Sequence, residues 1–160
     1  MAEAQRGARP IVTPLPTGAR VLIVEARFYE ALAEELAAGA LAELARHNVT
    51  GERLGVPGAF EIPGAIANAA DTGRFHGFVA LGCVIRGETS HYDYVCGESA
   101  RGLMDLTVQR RLAIGYGILT VETEAQAWAR ARRSEGDKGA DATWAALTMM
   151  ALRHKFRVGS

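Results

Sequence analysis

The sequence predicts a three-layer α/β domain, with a four-stranded parallel sheet flanked by helices on both faces. Three observations lead there. Short apolar runs rich in β-branched residues recur at residues 21–24, 78–85 and 114–121. Segments with helical periodicity separate them. The runs are apolar at consecutive rather than alternate positions, as strands buried on both faces require. Parallel neighbours need crossover connections, and the alternating strand–helix order supplies them.

Residues 1–19 form an N-terminal arm and residues 20–160 the α/β domain. Pro10, Pro14 and Pro16 suit a loose arm, whereas Ile11-Val12 suits an extended strand that pairs elsewhere. Val21-Leu22-Ile23-Val24 is the first strand. Leu32, Leu36, Ala40 and Leu44 then recur every four residues on one helix face. Asn48 fits a left-handed stop. Residues 50–56 read as a weaker strand, and Pro57-Gly58 breaks the chain. Pro63 suits the first turn of a second helix, with Ile66 and Ala70 inward and Gly73 at its end. The run at 78–85 is the clearest strand. Ser90 followed by Asp93 has capping-box spacing and predicts a helix to about Arg111. The strand at 114–121 follows. Thr123 with Gln126 is a second capping box, opening a short helix. After Gly136-Asp137 a last helix covers about residues 138–156, with Trp144, Leu147 and Ala151 on its inner face. Its basic end, from Arg153 to Arg157, complements the helix dipole.

Composition narrows the function. The 160 residues balance 18 Lys and Arg against 18 Asp and Glu, so a general nucleic-acid role is disfavoured. No apolar run approaches the ~20 residues of a membrane span, and the arm has no apolar signal segment. Cys83 and Cys96 do not make a disulfide framework and fit a reducing, cytoplasmic setting. His47, His76, His91 and His154 include no pair at metal-ligand spacing, so no metal is expected. The chain has no phosphate-binding P-loop, no dinucleotide glycine fingerprint after the first strand and no G-x-S-x-G elbow. Adenine-nucleotide, nicotinamide and acyl-transfer readings are therefore disfavoured.

In an open parallel sheet, ligands bind beyond the carboxyl ends of the strands. Residues 27–29, 57–63, 85–91 and 116–123 fall there. Gly87, Glu88, Thr89 and Ser90 lie where a helix begins, so they make either a seat for phosphate or carboxylate or an ordinary capped start. His91, in the first turn, is either a neutral proton carrier or a surface histidine. Phe28 and Tyr116 either stack on a planar ligand or cover the sheet edge. Glu61, between Pro57 and Pro63, suits a polyhydroxylated ligand or is an exposed acid on a rigid turn. Arg130 and Lys138 are solvated charges unless the fold brings them to the anion seat.

Three blocks carry a family resemblance. They are Val56-Pro57-Gly58-Ala59-Phe60-Glu61-Ile62-Pro63, then Gly82-Cys83-Val84-Ile85-Arg86-Gly87-Glu88-Thr89 with His91 and Asp93, and Lys138-Gly139. In order and spacing they resemble the 6,7-dimethyl-8-ribityllumazine synthase family, from about residue 21 to 156. The resemblance implies a flavodoxin-like fold and the penultimate step of riboflavin biosynthesis. There, 5-amino-6-(D-ribitylamino)uracil condenses with 3,4-dihydroxy-2-butanone 4-phosphate, with no cofactor. It implies sites between subunits of a homopentamer.

Carried onto this sequence, the resemblance makes Phe28 stack on the pyrimidine and Ala59, Phe60 and Glu61 hold the ribityl chain. Val84 and Ile85 would touch the pyrimidine through their backbone. Gly87, Glu88 and Thr89 would receive the phosphate, and His91 would move protons. Arg130 and Tyr116 would come from the adjacent subunit, with Lys138 near the phosphate. Tyr29 departs from the Asn of many members, and Tyr116 from their commoner Phe. The loop 132–137 lacks the Gly/Thr-Lys sequence of many capsid-forming members, which favours a free pentamer. The alternative reading is a flavin- or lumazine-binding member with little activity. A flavodoxin-like signalling module would show acidic residues clustered after the first strand, and Glu25 alone is not a cluster.

Overall fold

The chain alternates strand and helix in the expected order. The structure, a computed structural model, describes residues 7–157; residues 1–6 of the arm and 158–160 of the domain lie outside the described part. The elements are β1 (Arg20–Ala26), α1 (Glu30–Arg46), β2 (Thr50–Val56), a 3-10 turn (Ala59–Glu61), α2 (Ile62–Ala70), β3 (Gly77–Ile85), α3 (His91–Gln109), β4 (Ile114–Val121), α4 (Glu124–Ala131) and α5 (Lys138–Arg157). The strands lie in the order β2-β1-β3-β4, and every neighbouring pair is parallel.

Successive side chains of a strand point to opposite faces. β1 therefore sends Val21 and Ile23 into one core and Leu22, Val24 and Ala26 into the other. On the first side they meet Leu36 and Leu44 of α1 and Leu147 and Met150 of α5. On the second they meet Ile62 and Ile66 of α2 and Val95 and Leu103 of α3. Each fully buried side chain of this size contributes about 1.5–3 kcal/mol. Two glycines let α5 approach closely. A Cβ on Gly115 would lie 1.9 Å from the Ala142 carbonyl oxygen, and one on Gly139 would lie 2.0 Å from that of Leu36.

Several local expectations are corrected. β2 and β4 are the edge strands; β2 is mostly exposed, as a weaker strand should be, but β4 is not buried on both faces and exposes Tyr116 and Thr120. Ser90 makes no side-chain cap and has helical backbone angles. Thr89 Oγ1 instead accepts from the His91 N–H at 3.3 Å. α3 ends at Gln109, because Arg111 turns left-handed at φ 55°. On α5, Leu147 is buried as expected, but its companions on the inner face are Thr143, Ala146 and Met150 rather than Trp144 and Ala151. Trp144 is half-buried and donates its indole N–H to the Pro10 carbonyl at 2.9 Å. The Thr123 cap forms as expected, accepting from the Gln126 N–H at 3.2 Å. Asn48 adopts φ 54° after α1.

The described part of the arm holds no strand and lies on its own chain. Arg9 reaches Glu43 of α1 at 3.2 Å, Asp137 at 3.2 Å and Asp141 of α5 at 2.6 Å. Val12 donates its N–H to His47 Nε2 at 3.0 Å. His47 Nδ1 in turn faces the Glu43 carbonyl oxygen at 2.9 Å, so it carries the ring proton.

Candidate active site

The carboxyl ends of β1, β2 and β3 open into a pocket of about 820 Å³. Its first wall is the loop after β1. Phe28 is 75% exposed there and meets Tyr29 edge-on, with ring centroids 4.9 Å apart. This loop is fixed from beneath by Glu25, which is 2% exposed despite its charge. Its carboxylate accepts from Arg27 Nη1 at 2.8 Å and from Arg53 Nε at 2.6 Å and Nη2 at 2.8 Å. A buried carboxylate is tolerated only when paired in this way.

The second wall follows β2. Pro57 and Gly58 turn the chain into the 3-10 turn, where Ala59 is buried and Phe60 is 57% exposed. Glu61 folds back over the turn. A Cβ on Gly58 would lie only 3.5 Å from Glu61 Oε1. The carboxylate and the adjacent backbone therefore present polar groups beside two aromatic rings.

The third wall is the end of β3 and the start of α3. Val84 and Ile85 are half-buried, and Gly87 and Thr89 line the pocket ahead of His91. Arg86 fastens this loop. Its N–H donates to the Val121 carbonyl at 3.0 Å, and its Nε donates to Glu122 at 2.8 Å. Its guanidinium lies 4.2 Å from the centre of the Tyr92 ring and 3.5 Å from Asp93. The start of α3 is thus held against the end of β4. Thr89 Oγ1 accepts the His91 N–H and the Ser90 carbonyl accepts the Asp93 N–H. The positive end of the helix dipole there suits an anion.

One chain brings together Phe28, Ala59, Phe60, Glu61, Val84, Ile85, Gly87, Thr89 and His91. It does not bring in the other four residues. Glu88 is exposed outside the lining. Tyr116 is 47% exposed on β4. Arg130 is half-buried on α4 and donates to the Gln126 carbonyl at 3.0 Å. Lys138, exposed at the start of α5, pairs with Asp141 at 3.6 Å.

The pocket also holds Tyr29 and Cys83, to which the sequence assigned no role, and Tyr92 and Tyr94, which it did not single out. Helical spacing was the available signal for one of them. Tyr94 and Val95 stand three and four residues after His91 and so share its face. Burial pushes the Cys83 thiol up to about 11, with a smaller push from Cys96. Burial likewise raises the Tyr92 hydroxyl above its ordinary value. Among the described residues, no group of three His, Cys, Asp or Glu side chains is placed to hold a metal. No helix among them is long and apolar enough to cross a membrane.

The cleft therefore offers aromatic faces, a carboxylate for hydroxyl groups, an anion-receptive helix start and an imidazole. The family model described as 6,7-dimethyl-8-ribityllumazine synthase matches residues 18–154. Curated proteins of that name are similar to this chain over most of both lengths. The protein from Methylobacterium radiotolerans is 60% identical over 140 residues, covering 88% of this chain and 85% of its own. That from Nitrobacter hamburgensis is 52% identical over 160 residues, covering 97% and 98%. That from Azorhizobium caulinodans is 56% identical over 144 residues, covering 87% and 89%.

Proposed function

The chain belongs to the 6,7-dimethyl-8-ribityllumazine synthase family, and we propose on that footing how its cleft carries out the reaction. The activity is the condensation of 5-amino-6-(D-ribitylamino)uracil with 3,4-dihydroxy-2-butanone 4-phosphate, in riboflavin biosynthesis. The observation that carries our assignment of roles is that Phe28, Glu61, Gly87, Thr89 and His91 border one pocket.

In this reading Phe28 stacks on the pyrimidine, whose edge meets the backbone of Val84 and Ile85. Glu61 accepts from the ribityl hydroxyls beside Ala59 and Phe60. Gly87, Glu88 and Thr89 receive the phosphate at the start of α3. The uracil amine attacks the ketone, water leaves and an imine forms. Inorganic phosphate is then eliminated, the ring closes and a second water departs. Each step moves a proton, and His91 serves as the carrier, an assistance worth about 10²–10⁴-fold. Holding two substrates in one orientation contributes more, up to about 7–11 kcal/mol. The chain's own groups supply these roles without a cofactor.

A second copy completes the site. Tyr116, Arg130 and Lys138 lie outside the pocket of their own chain, and in this reading a neighbour supplies them to the phosphate end and the ring. Arg130 pairs with the phosphate through its guanidinium fork. Tyr94, Met104 and Val108 leave α3 with large apolar groups 60–67% exposed, which suits a subunit interface. A homopentamer is the assembly we favour, acting in the cytoplasm, where Cys83 and Cys96 stay reduced thiols. The alternative, a lumazine or flavin binder with little activity, has no need of a phosphate seat or of His91. Mixing both substrates with purified protein and following lumazine fluorescence tests the reading; absence of product would overturn it.

A further inference from the structure

A second hollow, of about 370 Å³, opens at the amino ends of β3 and β4, and shares no lining residue with the active cleft. Phe75, Leu112 and Met150 give it an apolar floor. His76, Arg153, His154 and Arg157 surround that floor, and no Asp or Glu lines it. The Arg153 Nε is buried without a hydrogen-bond partner among the described residues. Neither Arg153 nor Arg157 makes an ion pair among them. Burial, and then the like charge of Arg157, lower the Arg153 pKa from its ordinary value. His76 accepts the Arg20 N–H at Nδ1 across 3.0 Å, so its Nε2 bears the proton and remains a donor.

Two guanidinium groups with imidazole donors beside an apolar floor describe a ligand of mixed character. We infer that this hollow binds a phosphomonoester, its phosphate held by Arg153 and Arg157 and its organic body on the Phe75–Met150 floor. A phosphate offers enough terminal oxygens for both guanidinium forks, which a carboxylate does not. The carboxyl end of α5 carries about half a negative charge, which two full positive charges exceed. The volume is near the lower end of ligand pockets and fits a small body.

Calorimetric titration of the full chain with phenyl phosphate, inorganic phosphate and phenol tests this. Phenyl phosphate should bind most tightly, inorganic phosphate more weakly, and phenol not measurably. Arg153→Gln and Arg157→Gln should each weaken one class of phenyl phosphate site by about tenfold, with lumazine formation within about twofold of the parent. Arg157 is exposed at the end of α5, so Arg157→Gln keeps the fold and decides the matter if Arg153→Gln does not fold. Isotherms unchanged by Arg157→Gln would overturn the proposal. So would phenol binding as tightly as phenyl phosphate. A loss of phosphate binding that tracks a loss of lumazine formation would place the effect in the active cleft and likewise overturn it.

Discussion

Arg53 donates its Nε to Glu25 Oε2 across 2.6 Å, joining the edge strand β2 to the buried carboxylate of β1. The other oxygen of Glu25 takes Arg27, the residue before Phe28. A buried acid thus anchors the loop that carries the exposed ring. Glu25→Ala removes the acceptor but leaves both guanidinium groups within reach of water. It should cost about 1.5–3 kcal/mol, read as a lower urea midpoint at fixed protein concentration. It should also raise the KM for the ribitylaminouracil. An unchanged midpoint would show that the network contributes nothing.

His91 lines the cleft beside Thr89. His91→Ala should lower kcat by about 10² or more and leave the KM for the butanone phosphate nearly unchanged. Residual turnover should persist, because both substrates are still held together. Steady-state kinetics distinguish this from a purely structural role, which would move both parameters with the melting temperature.

Arg130 stands outside the pocket of its own chain. Arg130→Ala should raise the KM for the butanone phosphate, and no change would remove the assigned role. Co-expressing Arg130→Ala with His91→Ala chains tests the shared site directly. Random assembly restores both residues at roughly a quarter of subunit boundaries, because each boundary draws one face from each copy. Activity above either parent variant is the expected result, and its absence would mean that both residues act within one chain.

Val108 on α3 is 64% exposed in the single chain. Val108→Glu should convert the oligomer to smaller species in light scattering, because a charge at a packed boundary loses its water. Lumazine formation should fall with the oligomer fraction.

Cys83 has its thiol pushed up to about 11, chiefly by burial. Its neutral form is favoured in the folded state. That contribution is complete below the ordinary thiol range near 8.5 and is lost as pH rises through about 11. Thiol titration at pH 8 should therefore label Cys83 far more slowly than a free thiol, and unfolding should remove the difference. Rapid labelling of native protein at that position would contradict the buried placement.

Local patterns in the chain were enough to predict the parallel α/β architecture, the position of most elements and the carboxyl-end loops after β1, β2 and β3 that border the pocket. Consecutive apolar residues, helix periodicity and Pro or Gly breaks act over a few residues, so they are visible without a fold. On α5 the pattern holds at Leu147 but not at Trp144, which looks like a core residue until Pro10 is seen to take its N–H. The Ser90 cap failed because Thr89 accepts the first helical N–H instead. Burial of Glu25 was invisible, since its partners Arg27 and Arg53 meet it only after β1 and β2 pair. Tertiary structure also decided that the arm lies along its own α1 and α5, and that Arg153 and His76 meet in one hollow. These relations join residues far apart in the chain, and the energy that fixes them is distributed over packing that no local pattern records.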